Sequence, residues 1–292
     1  MTGEVAILTH RSLLEIGGEE RVSFLQGLVT NDVEALGRGE ACFAALLSPQ
    51  GKILFDFFAI DTGEAILLDC AAAEAPNLLK RLNFYKLRAK IALGDVSDRW
   101  RVAAAWGEGA GEMLTAGTSI AFEDPRVPAL GFRGLIEEGK GANFPAVPVA
   151  YEEMRVAAAV PEGGKDYAYG DAFPHEACFD LLHGVSFTKG CYVGQEVVSR
   201  MQHRGTARTR VLAVSAEAPL PAGGAEILAD GFAVGRLGSV AGTRGIALAR
   251  LDRVGEALAK GQPLSAGGVA VTLSVPSWAS YSLGSGGERA AH

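Results

Sequence analysis

At 292 residues the chain is too long for one small core and calls for two or three domains. Hydrophobic residues make up 48% and charged residues 21%, a composition that folds. The net charge of −7 (27 basic against 34 acidic residues) excludes wholesale wrapping by nucleic acid. No apolar run approaches the roughly 18 residues that span a bilayer, and 53–58 is broken at Asp56. The first residues carry no basic n-region and no apolar core, so a cytoplasmic, reducing compartment is expected. Four cysteines, Cys42, Cys70, Cys178 and Cys191, form no C-x-x-C pair and have no histidine at zinc-finger spacing, so neither a disulfide framework nor a tightly bound metal is expected.

In chain order, 13–16 reads as a strand ending at the Gly17-Gly18 turn, and 19–28 as a helix with Val22, Leu25 and Leu28 on one face. Residues 30–32 read as an N-cap for a short second helix through Val33 and Leu36. Residues 42–47 and 52–60 form a hairpin across Ser48-Pro49-Gln50-Gly51, and 65–69 is a further strand. Residues 74–88 read as a helix with Leu78, Leu82 and Tyr85 on one face; 90–93 and 101–105 return to strand. Glycine-rich loops at 107–111 and 139–141 bracket another helix–strand region, and 151–159 is helix-like up to the Pro161-Glu162-Gly163-Gly164 stop. From Arg210 onward short β-type runs alternate with Gly/Pro turns and almost no helix, which predicts a small β-barrel. The fold class is therefore α+β, ending in an all-β module. There is no P-loop and no dinucleotide fingerprint, so a nucleotide-driven machine is not supported.

The stretch that carries chemistry is 187–196, Phe-Thr-Lys-Gly-Cys-Tyr-Val-Gly-Gln-Glu. Gly190 and Gly194 flank Cys191 and let the backbone turn sharply or approach a ligand. Gly194 reads as the lead-in to a helix with Val197, Val198 and Met201 on its buried face. A helix start and the Lys189 cation near a thiol both favour the thiolate, the form that acts as nucleophile or metal ligand. The plainer reading, a small packed cysteine, carries equal weight on spacing alone. Arg200, Arg204, Arg208, Arg210 and His203 form a basic stretch in an acidic chain and suggest an anionic ligand or partner. His175 and His203 are weighed as acid–base groups, and Trp100, Trp106 and Trp278 as core aromatics.

Residues 189–196, K-G-C-Y-V-G-Q-E, resemble the signature octapeptide of the YgfZ-type folate-binding proteins, relatives of the glycine-cleavage aminomethyltransferase. Further blocks follow in the family's order: Phe24-Leu25-Gln26-Gly27 with Thr30-Asn31-Asp32-Val33, the hairpin 46–53, Tyr85-Lys86-Leu87-Arg88, Pro161-Glu162-Gly163, and Pro174-His175-Glu176 leading through 184–187. The resemblance implies a three-domain cloverleaf of mixed or antiparallel sheets around a central hole for tetrahydrofolate or a derivative. It is partitioned here as 1–48 with 99–205, an inserted 49–98, a barrel at 206–283 and a disordered tail at 284–292. It further implies a role in assembly or repair of iron–sulfur clusters, chiefly of the four-iron–four-sulfur class, with Cys191 and Lys189 as working residues. Folate contacts are carried onto Asn31, Asp56, Tyr151, Glu176, Tyr192, Gln195, Glu196 and Arg200. The expected partners are folate and iron–sulfur client or assembly proteins, with no nucleic acid, no membrane and a monomeric state. The aminomethyltransferases have two adjacent acids where this chain has Phe55-Asp56, and an acid where it has Cys191. A folate-dependent one-carbon transferase therefore ranks second, since that reaction needs a carboxylate at the folate amine. A non-catalytic adaptor with a vestigial folate site is the third reading.

Overall fold

The computed structural model describes residues 3–139, 144–145, 148–205 and 207–284. The chain forms two compact units: Met1–Tyr151 with Leu182–Gln195, and Glu152–Leu181 with Glu196–His292. The first unit contains β1 (Glu4–Ile7), β2 (Arg11–Gly17), α1 (Arg21–Gln26), β3 (Ala41–Leu47), β4 (Ile53–Asp61), β5 (Ala65–Ala71), α2 (Ala75–Lys86), β6 (Ala92–Asp95), β7 (Trp100–Trp106), α3 (Ala110–Gly117), β8 (Ile120–Glu123) and β9 (Phe132–Glu137). They build a five-stranded sheet of order β3-β4-β5-β2-β6 and a four-stranded sheet of order β1-β7-β9-β8, with every ladder antiparallel.

Side-chain alternation explains the layers. On β5, Ile66, Leu68 and Cys70 join one core with Leu25 of α1 and Leu78 and Leu82 of α2. Burying each of those helix leucines contributes about 1.5–3 kcal/mol. Leu67 and Asp69 point to the opposite face. On β9, Ile136 joins the core that holds Leu114 of α3, so Arg133, three residues away, faces the other side. Gly134 is required there, because a Cβ would lie 3.0 Å from the Leu114 Cγ.

The inward faces of the two sheets carry a buried ionic layer. Asp69 is fully buried and accepts hydrogen bonds from Arg11 and Arg133, both at 2.6 Å. Asp124 accepts two from the Arg126 guanidinium (2.9 and 2.7 Å) and one from its backbone N–H (3.1 Å), and lies 3.7 Å from Arg133. The guanidiniums of Arg133 and Arg126 stand 4.1 and 4.8 Å from the centroid of Phe58, which strengthens a cation's hold in a dry site. Burial alone would raise both carboxyls, but the guanidiniums overcome it and hold Asp69 and Asp124 below the usual carboxylate range.

Two expectations are corrected in this unit, and the place of a third is given after them. The second helix at 33–36 is absent: Asp32 takes the Glu34 N–H on its carboxylate and accepts from Gln26, a local turn that competes with helix. The expected 19–28 helix shrinks to α1, with no side-chain cap. The expected seam at 48/49 falls on the turn between β3 and β4, which pair from Ala41↔Ile60 to Leu47↔Ile53 in a single sheet. The loop at 139–141 lies largely outside the described residues.

Helices α4 (Pro148–Ala157) and α5 (Gln195–Arg204) precede the strands of the second unit. That unit holds β10 (Thr209–Ser215), β11 (Glu226–Ala229), β12 (Phe232–Ala241), β13 (Arg244–Arg250), α6 (Leu251–Ala259), β14 (Leu264–Ala266), β15 (Val269–Ala270) and β16 (Thr272–Ser274). Its sheet runs β15-β14-β11-β12-β13-β10-β16. The two edge strands are separated in the chain by Val271 alone, so the sheet curls back on itself into a nearly closed barrel. Leu212, Ile227, Leu237, Ala247 and Leu273 fill it. Helix α6, absent from the sequence expectation, adds Val254 and Ala257 to that core. The bulge of β12 presents the Ser239 N–H to Asp166 at 2.7 Å, and fully buried Arg155 binds the same carboxylate at 2.6 Å. Residues 285–292 of the expected tail lie outside the described residues.

The ionic layer sets a pH limit. Its carboxyls titrate below the unfolded value of about 3.9, so the stability they contribute is present above that value and is lost as pH falls through the folded values. Urea unfolding from pH 7 to 2 should stay level down to about pH 4 and then fall steeply. Asp69→Asn, which leaves buried guanidiniums short of a charge, should cost about 3–5 kcal/mol at pH 7 and flatten the acid limb.

Candidate functional site

Three segments far apart in the chain meet in the first unit. The 189–196 motif is fastened first by Lys189, which is 8% exposed. Its ammonium donates to the carbonyls of Gln26 (2.8 Å), Val29 (2.8 Å) and Asn31 (2.6 Å). Gln26 ends α1, and Val29 and Asn31 lie in the chain just after it, so the carbonyls are offered because no helix continues there. The approach to the motif is held by buried Thr30, whose hydroxyl donates to Gly184 O (2.6 Å) and accepts from the Ala45 N–H (2.9 Å). Ser186 N donates to Thr30 O at 2.9 Å. Asn31 donates its amide to the carbonyls of Phe43 and His183, both at 2.7 Å. At the other end Gly194 (φ +82°) presses on the β3–β4 turn: a Cβ would come within 2.6 Å of Ser48 O.

Between these fastenings sits Cys191. It is exposed, whereas Cys42, Cys70 and Cys178 are buried. Burial pushes the Cys42 and Cys70 thiols up to about 12 and raises Cys178, so all three are inert near neutral pH. Cys178 rests its Sγ 3.6 Å from the Tyr281 hydroxyl. A Cβ built on Gly190 would meet nothing within 4 Å, so the backbone beside the thiol stands open.

Lys189 acts differently from the expectation. All three of its N–H groups are taken by carbonyls, so it is a clamp rather than a cation aimed at the thiol. Burial pulls its pKa down to about 8, against the fields of Asp32, Cys42 and Glu34. A neutral amine could donate to two of the three carbonyls at most, so the clamp favours the ammonium. The ring of Tyr192 lies 5.4 Å from the same nitrogen and is itself buried, with its hydroxyl pushed up to about 12 by burial.

The expected folate contacts fall into two groups. In the first unit, Asn31 has its amide and side-chain oxygen committed to the protein, the oxygen to the Asp32 N–H. Tyr151 is 2% exposed, packs on Trp106, and accepts from Arg126 and Arg133, both at 3.2 Å. Both brace the protein in this structure. Asp56 is buried on β4, and Gln195 donates to Gly190 O at 3.4 Å. In the second unit, Glu176 accepts from the Phe173 N–H, and Glu196 pairs with Arg200 on the exposed face of α5. His175 is buried and bonded to Gln202, with its pKa lowered by burial. Arg210, read from sequence as part of a basic patch, is engaged by Asp180 (2.6 Å) and His175 O (2.7 Å). A cavity of about 800 Å³ bordered by Glu15, Arg38, Glu64, Arg99, Trp100 and Glu137 contains none of the expected contacts. Sequence reading missed Thr30 and the Asp69–Arg133 pair. The signal for Asp69 was present: a lone acid closing the apolar run 65–68.

The GCVT N-terminal domain family matches residues 5–144, and the CAF17, C-terminal beta-barrel domain matches 208–281. The iron–sulfur cluster assembly factor IBA57, mitochondrial, of Mus musculus is 31% identical over 302 residues, covering 93% of this chain and 84% of that protein. The Homo sapiens protein of the same name is 32% identical with the same coverage. The chain belongs to the IBA57 family. A homolog from Mycosarcoma maydis is 33% identical over 73% of this chain; the chain spans 57% of that protein, little more than half its length. The crystal structure of glycine cleavage system aminomethyltransferase T from Bartonella henselae matches with a TM-score of 0.74 over 95% of this chain and 86% of that chain, at 15% identity. This IBA57-family chain therefore has the glycine-cleavage T-protein type of fold with a CAF17-type barrel.

Four outcomes test the geometry of this IBA57-family site. Cys191 should be the thiol alkylated in the native protein, the other three reacting only after unfolding, and Cys191→Ser should melt within about 1 °C of wild type because an exposed thiol packs little. Lys189→Met leaves three carbonyls without their donor and should cost on the order of 3 kcal/mol in urea unfolding. Gly194→Ala, strained in φ and crowded at Ser48, should cost about 1–3 kcal/mol.

Proposed function

We propose that this protein acts in iron–sulfur cluster assembly or repair, presenting the Cys191 thiol from a rigidly fastened loop. The observation that carries this reading is that an exposed cysteine stands in a motif clamped on both sides, while the other three cysteines are buried. Membership of a family whose members are named iron–sulfur cluster assembly factors supports the biological setting. The K-G-C-Y-V-G-Q-E signature supports the finer likeness to the YgfZ-type proteins. Among the described residues no three His, Cys, Asp or Glu side chains gather as a metal-ligand set. A cluster, as cargo, would take one ligand from Cys191 and the others from a client.

Tetrahydrofolate is the second part of the proposal, supported by the aminomethyltransferase-type fold. Such a cofactor carries one-carbon units on its ring nitrogens. Of the expected contacts, those of the first unit that would serve it are Asp56, Tyr192 and Gln195. The single acid of Phe55-Asp56 disfavours aminomethyl transfer as the activity.

Complementation tests the first part: in a strain lacking the protein, Cys191→Ala should fail to restore the activity of a four-iron–four-sulfur enzyme although the variant folds and accumulates. Full rescue would remove the thiol from the function. Calorimetry tests the second: tetrahydrofolate should bind at micromolar concentration, about −8 kcal/mol, and weaken with salt. Absence of heat at millimolar folate would remove folate and leave the cluster role standing.

A further inference from the structure

The end of α2 and the chain that follows it differ from the rest of the surface. Residues 75–94 contain no Asp or Glu, yet they carry Lys80, Arg81, Lys86, Arg88 and Lys90 in a chain of net charge −7. Lys80, Arg81, Arg88 and Lys90 are exposed and Lys86 is half-buried. Among the described residues none of the five side chains makes an ion pair or a hydrogen bond, while most other arginines of the first unit are paired. The carboxylate nearest in the bonding pattern, Glu20, is occupied by the Lys90 backbone N–H at 2.8 Å, and Glu74 takes Asn77.

Two large apolar side chains stand among these cations. Phe84 is 72% exposed and Leu87 is 87% exposed. Leu87 closes α2 with φ 42° and ψ −106°, a positive-φ conformation outside the allowed left-handed helical region that a residue with a side chain adopts only at a cost. Phe84 stacks edge-on against Tyr85, 5.8 Å between centroids. The inner face of the same helix is already filled by Leu78 and Leu82, so Phe84 and Leu87 serve no core.

We propose that this helix end is a docking surface for an acidic segment of a partner protein, with Phe84 and Leu87 as apolar anchors and the five unpaired cations as the rim. Apolar anchors ringed by charge of one sign are the anatomy of a protein interface hot spot, and the rim charge selects an acidic partner and speeds its approach. The area is that of about two helix turns and their exit. Such a patch suits a short protein segment better than a polyanion, because the net charge of −7 repels an extended nucleic acid or an anionic bilayer beyond the patch. The proposal uses neither Cys191 nor the folate contacts named above, so the two proposals are tested separately.

The test uses the full-length protein and a fluorescein-labelled 12-residue peptide of alternating acidic and Leu/Phe residues, followed by anisotropy. The expected result is binding that weakens at least tenfold between 50 and 300 mM salt, by screening of the rim charges. It should also weaken at least tenfold in the double variant Phe84→Ser/Leu87→Ser. Because both side chains are exposed, that variant should melt like wild type; Lys80→Gln/Arg88→Gln provides a second, purely electrostatic variant expected to weaken binding with the apolar anchors intact. Absence of binding at millimolar peptide, or binding unchanged in both variants, overturns the proposal. So does tighter, patch-dependent binding to phosphatidylglycerol vesicles or to a single-stranded oligonucleotide, which would assign the surface to a membrane or to nucleic acid.

Discussion

An ammonium group taken out of water needs all three of its protons met, and Lys189 has them met by three backbone carbonyls at the end of α1 and just after it. That arrangement works in both directions. The lysine fixes the loop that bears Cys191, and the carbonyls, left over where α1 stops, are satisfied by the lysine. Thr30 and Asn31 reinforce the same joint with side-chain bonds to Gly184, His183 and Phe43. The exposed thiol can therefore sit at a fixed place without contributing to the core itself.

A second constraint lies in the first unit, between its two sheets. Three guanidiniums and two carboxylates are buried there around Phe58, and Tyr151 closes the set. Such a layer adds little net stability over an apolar one, but removing any member leaves a charge stranded. It fixes the relative setting of the five-stranded and four-stranded sheets by directed bonds, which an apolar interface of the same area would do less strictly. The turn after α1, the β3–β4 turn and the motif all rest on the five-stranded sheet, so the setting of Cys191 depends on this sheet being rigid.

Much of this was legible in the residues. The hairpin at 42–60, the helix with Leu78 and Leu82 inward and the terminal barrel all follow from period and turn chemistry, and the packing of Cys42 and Cys70 from the apolar runs that hold them. The CAF17-type domain match bears out the barrel, and the GCVT N-terminal match with the aminomethyltransferase structure bears out the fold. What was not legible depended on long-range partners. Lys189 reads as a neighbour of Cys191 in sequence, yet its bonds run to residues about 160 positions away. Tyr151 reads as a pocket aromatic, yet Arg126 and Arg133 claim its hydroxyl. Helix α6 was missed because Gly255 interrupts its apolar spacing, and the helix at 33–36 failed because Asp32 bonds the backbone locally.

The central claim is that Lys189 holds Cys191 in place by mechanical fastening. Hydrogen–deuterium exchange of Lys189→Met against wild type reads this directly, residue by residue. The account predicts faster exchange at amides 184–194 and 26–31, with the strands of the five-stranded sheet unchanged. Unaltered exchange in those two segments would contradict it, and would return Lys189 to a role in the chemistry of the thiol.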